Sequence, residues 1–346
     1  MNDQNPIPVA VVGVGRMGRH HARIYRQLEQ ADLVAVVDPD QDRAGALADE
    51  FNCDALSSID ELRERHPNVR AVTVAVPTSY HEQIAGPLLE AGIACLIEKP
   101  LAQSVEVAQR IVATARSSGS LVQVGHTERF NPAVRAISEL EITPRFIEVD
   151  RVSPMSFRSI DVGVVFDIMI HDIDIVLMMA QSPLRDVRAA GVAVLGRHED
   201  VANARLEFED GCVANLTASR LALKTERKLR VFSETAYISL NYATKSGVLL
   251  NRTDNTAALD EVRQQIEQGA DLSELDYADL VNVRDITIED EEPLRAELVN
   301  FLDAVAGRAR PAVDAAAGFA AVETAQRVVD AIRQHTWSGL DAGKPL

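Results

Sequence analysis

The chain has 346 residues, of which 47% are apolar and 25% charged, as is ordinary for a globular protein long enough to hold two hydrophobic cores. Its 35 lysines and arginines are outnumbered by 52 aspartates and glutamates, and the net charge of −17 argues against nucleic acid or an anionic membrane surface as a partner. The three cysteines have no metal-type spacing, residues 1–8 are polar rather than a signal peptide, and no apolar run could span a membrane. These features predict a cytoplasmic protein without a metal.

The first predicted elements are a strand, a glycine-rich turn and a helix. Residues 8–12 form an apolar run, Gly13-Val14-Gly15-Arg16-Met17-Gly18 follows at once, and a helical pattern covers 19–28. Gly13 permits the tight turn, Gly15 lets the backbone approach a pyrophosphate, and Gly18 lets helix and strand pack closely. A second strand over 33–37 ends at Asp38, where an acid binds ribose hydroxyls. The pattern predicts a Rossmann site for NAD that involves Gly13, Gly15, Arg16, Met17, Gly18 and Asp38.

The carboxylate of Asp38 also bears on the choice between NAD and NADP. It would repel the 2′-phosphate of NADP, so the sequence predicts NAD. Arg43 leaves an alternative open, because an arginine near the ribose can bind that phosphate; otherwise it is a solvated residue of the next helix.

The rest of the first half alternates strands with helices, which predicts an α/β fold with a doubly wound parallel sheet. Further strands are predicted over 71–76, 93–97 and 121–124, and helices over 42–51, 58–65, 80–91 and 104–117. Ligands of such sheets sit beyond the carboxyl ends of the strands. Pro77, Thr78 and His81 follow one strand end and are therefore placed near the nicotinamide half of NAD. For His81, a helix-capping or surface role is the alternative.

Another strand end carries the sequence Glu98-Lys99-Pro100 after the apolar run 95–97. Proline stops the strand, so Lys99 would point into the crevice where ligands bind, with Glu98 beside the cofactor. A surface lysine before a turn is the alternative interpretation.

The second half changes to consecutive strands with short turns, predicted over 145–152, 187–195, 202–208, 212–219, 229–233, 236–241 and 247–251. Such a series predicts a mostly antiparallel sheet. Helices are predicted over 132–140, 294–305 and 315–334, with a further short one near 259–268. We therefore predict a Rossmann domain over 1–125 and an α+β domain with an open sheet over 126–346, whose final helices can pack back on the first domain.

Residues 161–180 are predicted to form a buried helix, because all its sides are mostly apolar. Asp167, His171 and Asp174 follow at spacings of four and three, which places them on one stripe. Buried carboxylates and imidazoles are costly unless they are paired or used. A catalytic histidine oriented by a carboxylate is the leading interpretation; a hydrogen-bonded trio in the core is the alternative, and a metal site has too few ligands here.

With these motifs in place, the chain resembles the glucose-fructose oxidoreductase/inositol dehydrogenase (Gfo/Idh/MocA) family along nearly its whole length. The markers are the glycine turn at 13–18, Glu98-Lys99-Pro100, the pair Asp167 and His171, and the stretch from 293 to 311. The resemblance implies that Lys99 and His171 are catalytic and that Asp167 binds or orients. It also implies an open sheet that packs against another subunit, in a homodimer or homotetramer.

Two stretches, 125–132 and 161–174, are further similar to the subgroup that oxidises UDP-N-acetylglucosamine-type sugars at C3. The products are 3-keto nucleotide sugars, which a partner aminotransferase converts to 3-amino sugars for cell-envelope polysaccharide or lipid A. The resemblance places the substrate against His126, Arg129, Asn131 and Arg158. Arg151 and Arg158 flank a proline turn and are expected to offer the diphosphate a local positive charge, since arginine binds two phosphate oxygens at once.

The chemistry of alcohol oxidation fits these residues. A hydride passes to the nicotinamide, His171 is the natural base for the hydroxyl proton, and Lys99 can stabilise the developing negative charge. A dehydrogenase of a free polyol such as inositol, and a non-catalytic NAD- or sugar-sensing regulator on the same fold, stay open as alternatives. The presence of both Lys99 and His171 favours an enzyme.

Overall fold

The computed structural model describes residues 5–140, 142–155, 162–242, 244–252, 262, 264, 267–269 and 281–336. These residues form two compact units, of which the first draws on 1–131, 173–175 and 291–330, and the second on 132–172, 176–290 and 331–346. The predicted division into domains 1–125 and 126–346 stays a prediction, because compactness does not by itself show that a segment folds independently.

The described residues of the first unit form a six-stranded sheet. Its strands are β1 (Ile7–Val12), β2 (Ala31–Val37), β3 (Asp54–Leu56), β4 (Ala71–Val74), β5 (Ala94–Glu98) and β6 (Val122–Gly125). They lie in the order β3-β2-β1-β4-β5-β6, and every neighbouring pair is parallel. This confirms the predicted doubly wound sheet. Strands β4 and β5 are buried along their whole length, as a sheet covered on both faces requires.

Helices connect these strands, and three of them start at a side-chain cap. They are α1 (Arg16–Gln27), α2 (Gln41–Phe51), α3 (Ile59–Arg65), α4 (His81–Glu90) and α5 (Val105–Ser118). Ser58 and Ser104 accept hydrogen bonds from the amides of Glu61 and Val107, which caps α3 and α5. Helix α5 ends at Gly119 with φ of 69°, a left-handed conformation that favours glycine.

The described residues of the second unit form an eight-stranded sheet. Its strands are β7 (Phe146–Val152), β8 (Leu184–Val192), β9 (Val201–Phe208), β10 (Val213–Ser219), β11 (Glu226–Phe232), β12 (Ala236–Asn241), β13 (Ser246–Arg252) and β14 (Val281–Asp285). The order is β14-β13-β12-β11-β7-β10-β9-β8. Only β7 and β10 pair in parallel, and the other neighbours are antiparallel, so the predicted, mostly antiparallel sheet is confirmed.

Several strands differ from the sequence prediction. Strand β3 has three residues, too few to show a period, and β14 is polar and largely exposed, so neither was predicted. Strand β8 ends at Val192 rather than at residue 195. The chain turns there because the amides of Val194 and Leu195 both donate to the carboxylate of Asp200.

Two helical segments of the second unit also differ from expectation. Helix α6 (Pro132–Ser138) ends two residues before the predicted residue 140. The predicted helix over 161–180 consists of a π turn at Val165–Met169 followed by α7 (Ile170–Ala180), and residue 161 lies outside the described residues. Asp167 lies in the π turn, which lacks the regular register of an α-helix, so the stripe that it was predicted to share with His171 and Asp174 stays a prediction. Most of the predicted helix near 259–268 lies outside the described residues as well.

The last helices are α8 (Pro293–Val305) and α9 (Ala315–Gln334), close to the predicted bounds. Helix α8 packs in the core of the first unit, where Leu298 and Phe301 join Ile24 and Tyr25 of α1 with no exposed surface. The Tyr25 hydroxyl also shares a hydrogen bond of 2.9 Å with Thr73 Oγ1, which satisfies its polar end inside the core. Among the described residues, no helix has the length and hydropathy that crossing a bilayer requires.

The solvent-facing side of the second sheet carries charged side chains. Arg230 lies 3.3 Å from Glu148 and 3.6 Å from Asp150 across neighbouring strands, and Arg205 lies 3.3 Å from Glu207. Such half-exposed pairs contribute little stability each. The use of this sheet as a subunit interface stays a prediction.

Candidate active site

The glycine turn between β1 and α1 is shaped by close backbone contacts. Gly13 has φ of 88°, and a Cβ there would lie 2.7 Å from the Ala75 carbonyl oxygen. A Cβ on Gly18 would lie 1.8 Å from the Gly13 carbonyl oxygen, so helix and strand approach as predicted. Gly15 precedes α1 without a side-chain cap, and no heavy atom lies within 4 Å of its Cβ position. The first amides of α1 are therefore open to an anionic group.

Asp38 follows β2 and lies beside this turn. Its Oδ2 accepts a hydrogen bond of 2.9 Å from the Val14 amide, and its Oδ1 accepts one of 2.9 Å from the Asp40 amide. The side chain of Arg43 is about half exposed and lies closer to Asp40 (3.0 Å) than to Asp38 (3.9 Å). Asp38 thus fixes the turn and presents its charge where the ribose of a dinucleotide would lie.

The strand that precedes Lys99 is linked to α1 by a buried pair. His21 Nε2 lies 2.7 Å from Glu98 Oε1, and both residues are buried. Burial opposes ionisation of Glu98, but the hydrogen bond and the charge of His21, with the charge of Lys99, hold the pKa of this carboxyl below its usual value. Glu98 is therefore an anion next to Lys99. Its partner His21 lies on α1, the helix that begins at the glycine turn.

A second buried carboxyl, that of Glu297 on α8, favours its neutral, protonated form. Thr127 Oγ1 donates to Glu297 Oε2 at 2.9 Å, while Oε1 has no hydrogen-bond partner among the described residues. Burial, and then the negative charge of Glu98, raise the pKa of Glu297 well above its usual value. Glu297 consequently keeps its proton under conditions in which Glu98 has lost its own.

Pro77, Thr78 and His81 lie where β4 ends, as predicted: Thr78 starts a 3₁₀ turn and His81 starts α4. The His81 ring is buried, with Nδ1 at 3.2 Å from the Leu101 carbonyl oxygen and Nε2 at 3.1 Å from that of Val76. Burial lowers the pKa of His81 against the pull of these carbonyls. The ring joins the segments that follow β4 and β5, and a contact of His81 with the cofactor stays a prediction.

The predicted substrate residues after β6 form a polar cluster. Arg129 binds the Asp174 carboxylate with two nitrogens, Nε at 2.8 Å and Nη2 at 2.6 Å. His126 is fully buried, and burial lowers its pKa despite the opposing charge of Asp174. Asn131 Nδ2 donates to Glu128 Oε2 at 3.2 Å. The charge of Arg129 is thus compensated by Asp174.

In the second unit, the π turn carries Asp167 and the first turn of α7 carries His171, both partly exposed. Asp172, next to His171, is buried and bound by Arg151 Nε at 2.8 Å and Nη2 at 2.7 Å. Arg151 is itself only 5% exposed and its charge is compensated by Asp172, and a contact of Arg151 with a diphosphate stays a prediction. Arg158, the other arginine of that expectation, lies outside the described residues.

Sequence reasoning missed the partners of Asp172 and Asp174 and the role of Glu297. Each is a carboxylate in an apolar helix, and an acid in such a helix is itself a signal that a buried partner exists. The partner cannot be named from the pattern, since Arg129 and Asp174 are 45 residues apart and Thr127 and Glu297 are 170 apart.

The parallel sheet, the glycine turn and the acid after β2 are the features of a Rossmann fold that binds a dinucleotide. Residues 7–126 match the GFO/IDH/MocA oxidoreductase family, NAD-binding Rossmann fold, and residues 149–239 match the GFO/IDH/MocA C-terminal domain. The chain belongs to this family and uses NAD as its cofactor. It is an NAD-dependent dehydrogenase that acts on CH–OH groups.

Several characterised relatives share most of the chain. UDP-N-acetylglucosamine 3-dehydrogenase of Acidithiobacillus ferrooxidans is 33% identical over 310 residues, 89% of this chain and 91% of that protein. A solved structure of that enzyme, GnnA, has a TM-score of 0.82 at 30% identity, and the match covers 95% of this chain and 98% of the other. The scyllo-inositol 2-dehydrogenase (NAD(+)) of Bacillus subtilis is 29% identical over 233 residues, 63% of this chain and 68% of that protein.

Proposed function

We propose that this dehydrogenase oxidises the C3 hydroxyl of a UDP-linked N-acetylhexosamine, with UDP-N-acetylglucosamine as the leading candidate and NAD as the hydride acceptor. The observation that carries this proposal is the 33% identity to UDP-N-acetylglucosamine 3-dehydrogenase over 310 residues, which spans both units. The proposed product is a 3-keto nucleotide sugar, a substrate for an amine-transferring enzyme.

Two groups carry the proposed proton chemistry. NAD, when bound, accepts the hydride from the carbinol carbon. The His171 imidazole takes the hydroxyl proton, since its ordinary pKa lies near neutrality. The Lys99 ammonium donates a hydrogen bond to the same oxygen and stabilises its developing negative charge. Asp167 orients the ring or holds a neighbouring hydroxyl.

The first unit supplies the support for Lys99. Glu98, ionised and bound to His21, places a negative charge beside the lysine in the sequence. Glu297 in its neutral form adds no second negative charge to this region.

The proposed substrate contacts are His126, Arg129, Asn131 and Arg158. Of these, Arg129 already binds Asp174, so we assign it to shaping the sugar site rather than to carrying the diphosphate. The diphosphate then falls to Arg158, whose guanidinium can bind two phosphate oxygens.

A free polyol is the second candidate substrate, because the inositol dehydrogenase of Bacillus subtilis is also similar to this chain. The two candidates differ in the diphosphate. Charge-assisted hydrogen bonds contribute about 1.5–3 kcal/mol each, so a diphosphate-binding enzyme should use the free sugar far less well.

The test compares kcat/KM for UDP-N-acetylglucosamine, free N-acetylglucosamine and myo-inositol, each with NAD and with NADP. We expect UDP-N-acetylglucosamine with NAD to give the highest value. Arg158→Ala should raise KM for the nucleotide sugar more than it lowers kcat, because ground and transition states share the diphosphate contact. A higher kcat/KM for a free sugar or for inositol would overturn the nucleotide-sugar proposal.

A further inference from the structure

The segment that carries Asp167 and His171 begins against a loop of the second unit. The Val164 amide donates to the Glu199 carbonyl oxygen at 2.9 Å, and the Val165 amide donates to Glu199 Oε1 at 3.3 Å. The first amides of a helix have no acceptor within the helix. Glu199 supplies two acceptors at this position, from a point more than thirty residues further along the chain.

Gly163 gives the Glu199 carboxylate room to make this contact. A Cβ at residue 163 would lie 2.0 Å from Glu199 Oε1 and 2.5 Å from its Cδ. The φ of Gly163 is not in the left-handed region, so backbone freedom does not explain the glycine. The absent side chain is what the carboxylate requires.

The loop that presents Glu199 is itself held by buried charges. The Asp200 carboxylate accepts from the amides of Val194 and Leu195, both at 2.7 Å, and from Arg220 Nε at 2.7 Å. Arg220 Nη1 donates to the Val162 carbonyl oxygen at 2.7 Å. One arginine therefore ties the loop to the residue that precedes the helical segment, and both Asp200 and Arg220 are buried.

Burial alone would raise the pKa of Asp200, but the backbone hydrogen bonds and the contact with Arg220 outweigh it and lower the pKa to about 2. Asp200 is therefore ionised at any pH at which the enzyme would work, and the loop keeps its anchor.

The π turn at Val165–Met169 lies between the start of the 162–171 segment and His171, so the position of that start affects where the side chains point. Such turns are rare, occur frequently at functional sites and lack the regular register of an α-helix. The directions of Asp167 and His171 then depend on where the first turn is fixed. We propose that Glu199 is a positioning residue, which fixes the start of the 162–171 segment and so places Asp167 and His171 for the reaction.

This inference rests on the proposed catalytic roles of Asp167 and His171 but not on the identity of the sugar. Glu199→Ala removes the side-chain acceptor, Glu199→Gln retains an acceptor oxygen, and Gly163→Ala displaces the carboxylate while leaving it in the sequence. Arg197→Ala is the control, because this exposed side chain belongs to the same loop.

We expect Glu199→Ala and Gly163→Ala each to lower kcat about 10- to 100-fold on the best substrate, since a misplacement of about 1 Å can cost a factor of 100. The affinity for NAD should stay unchanged, and Glu199→Gln and Arg197→Ala should retain most of the turnover. The double variant Glu199→Ala/Gly163→Ala should be no slower than either single variant. Unchanged kcat in both Glu199→Ala and Gly163→Ala would overturn the proposal, as would a Glu199→Gln variant as slow as Glu199→Ala.

A second readout does not depend on turnover. The ring signals of His171, assigned by comparison with His171→Ala in histidine-labelled protein, should shift in Glu199→Ala and Gly163→Ala and stay in place in Arg197→Ala. Identical His171 signals in all variants would overturn the positioning role. If the signals shift but His171→Ala keeps full turnover, the proposed function fails while the structural link between Glu199 and His171 stands.

Discussion

Helix α1 in the first unit and the 162–171 segment in the second begin in different ways. At α1, Gly15 adds no side chain and leaves the first amides open. At the 162–171 segment, a glycine also precedes the helical turn, but there Gly163 makes room for the Glu199 carboxylate, which accepts from the Val165 amide. Both glycines create space, and the two spaces serve different purposes.

The difference shows that the free amides at the start of a helix can find their hydrogen-bond acceptors either in a ligand or in the protein itself. We expect the amides of α1 to find their negative partner when the pyrophosphate binds, so that this helix start contributes to affinity. The amides of Val164 and Val165 find their acceptors in Glu199 of the second unit, so we expect that helix start to contribute to the placement of side chains. Changes in the first region should alter cofactor binding, and changes in the second should alter turnover.

The largest expected effect tests this separation directly. Lys99→Ala and His171→Ala should each lower kcat by about 10²–10⁴-fold, the usual cost of losing one acid–base group, with NAD affinity nearly intact. Steady-state rates and calorimetric titration with NAD measure the two quantities. His20→Ala, which changes an exposed histidine of α1, is the control. Near-normal turnover in either variant would remove that residue from the mechanism.

A smaller effect is expected on the cofactor side. Gly15→Ala should weaken NAD binding about tenfold, or by about 1.4 kcal/mol, because the added methyl group keeps the pyrophosphate from the backbone. The unliganded protein should keep its thermal stability, since no heavy atom lies within 4 Å of the new Cβ. Gly45→Ala on α2 has the same open surroundings and is the matched control. Equal NAD affinity in both variants would contradict an open helix start that binds phosphate.

The smallest expected effect concerns the buried carboxyl of Glu297. The pKa of Glu297 is higher in the folded state than in the unfolded state, so folding stability falls as the pH rises between the two values. Glu297→Gln keeps the neutral shape and removes this loss, so its stability relative to the parent should rise as the pH is raised from 5 to 8. Urea unfolding at both pH values measures the difference, with the exposed Glu323→Gln as the control. Parallel pH dependence in parent and variant would mean that Glu297 titrates normally.

The sequence predicted local features well. The glycine turn, Asp38 and the strand that ends at Glu98 follow from contiguous patterns, and each occupies its predicted place in the sheet. Features that depend on distant residues were not predictable. The arginine partners of Asp172 and Asp174, the π turn and the contact between Glu199 and Val165 all require knowledge of which segments meet in space.

The contact between His21 and Glu98 links the helix of the glycine motif to the strand that precedes Lys99. His21 comes three residues after Gly18 on the same helix, and it holds the carboxylate next to Lys99. A search pattern that scores only the three glycines would also accept chains in which this histidine has been replaced. Such chains would keep the glycines that bind a dinucleotide, but the glutamate before their lysine would lack its histidine partner. Extending the pattern to His21 would select for sequences that have kept both cofactor binding and a supported lysine.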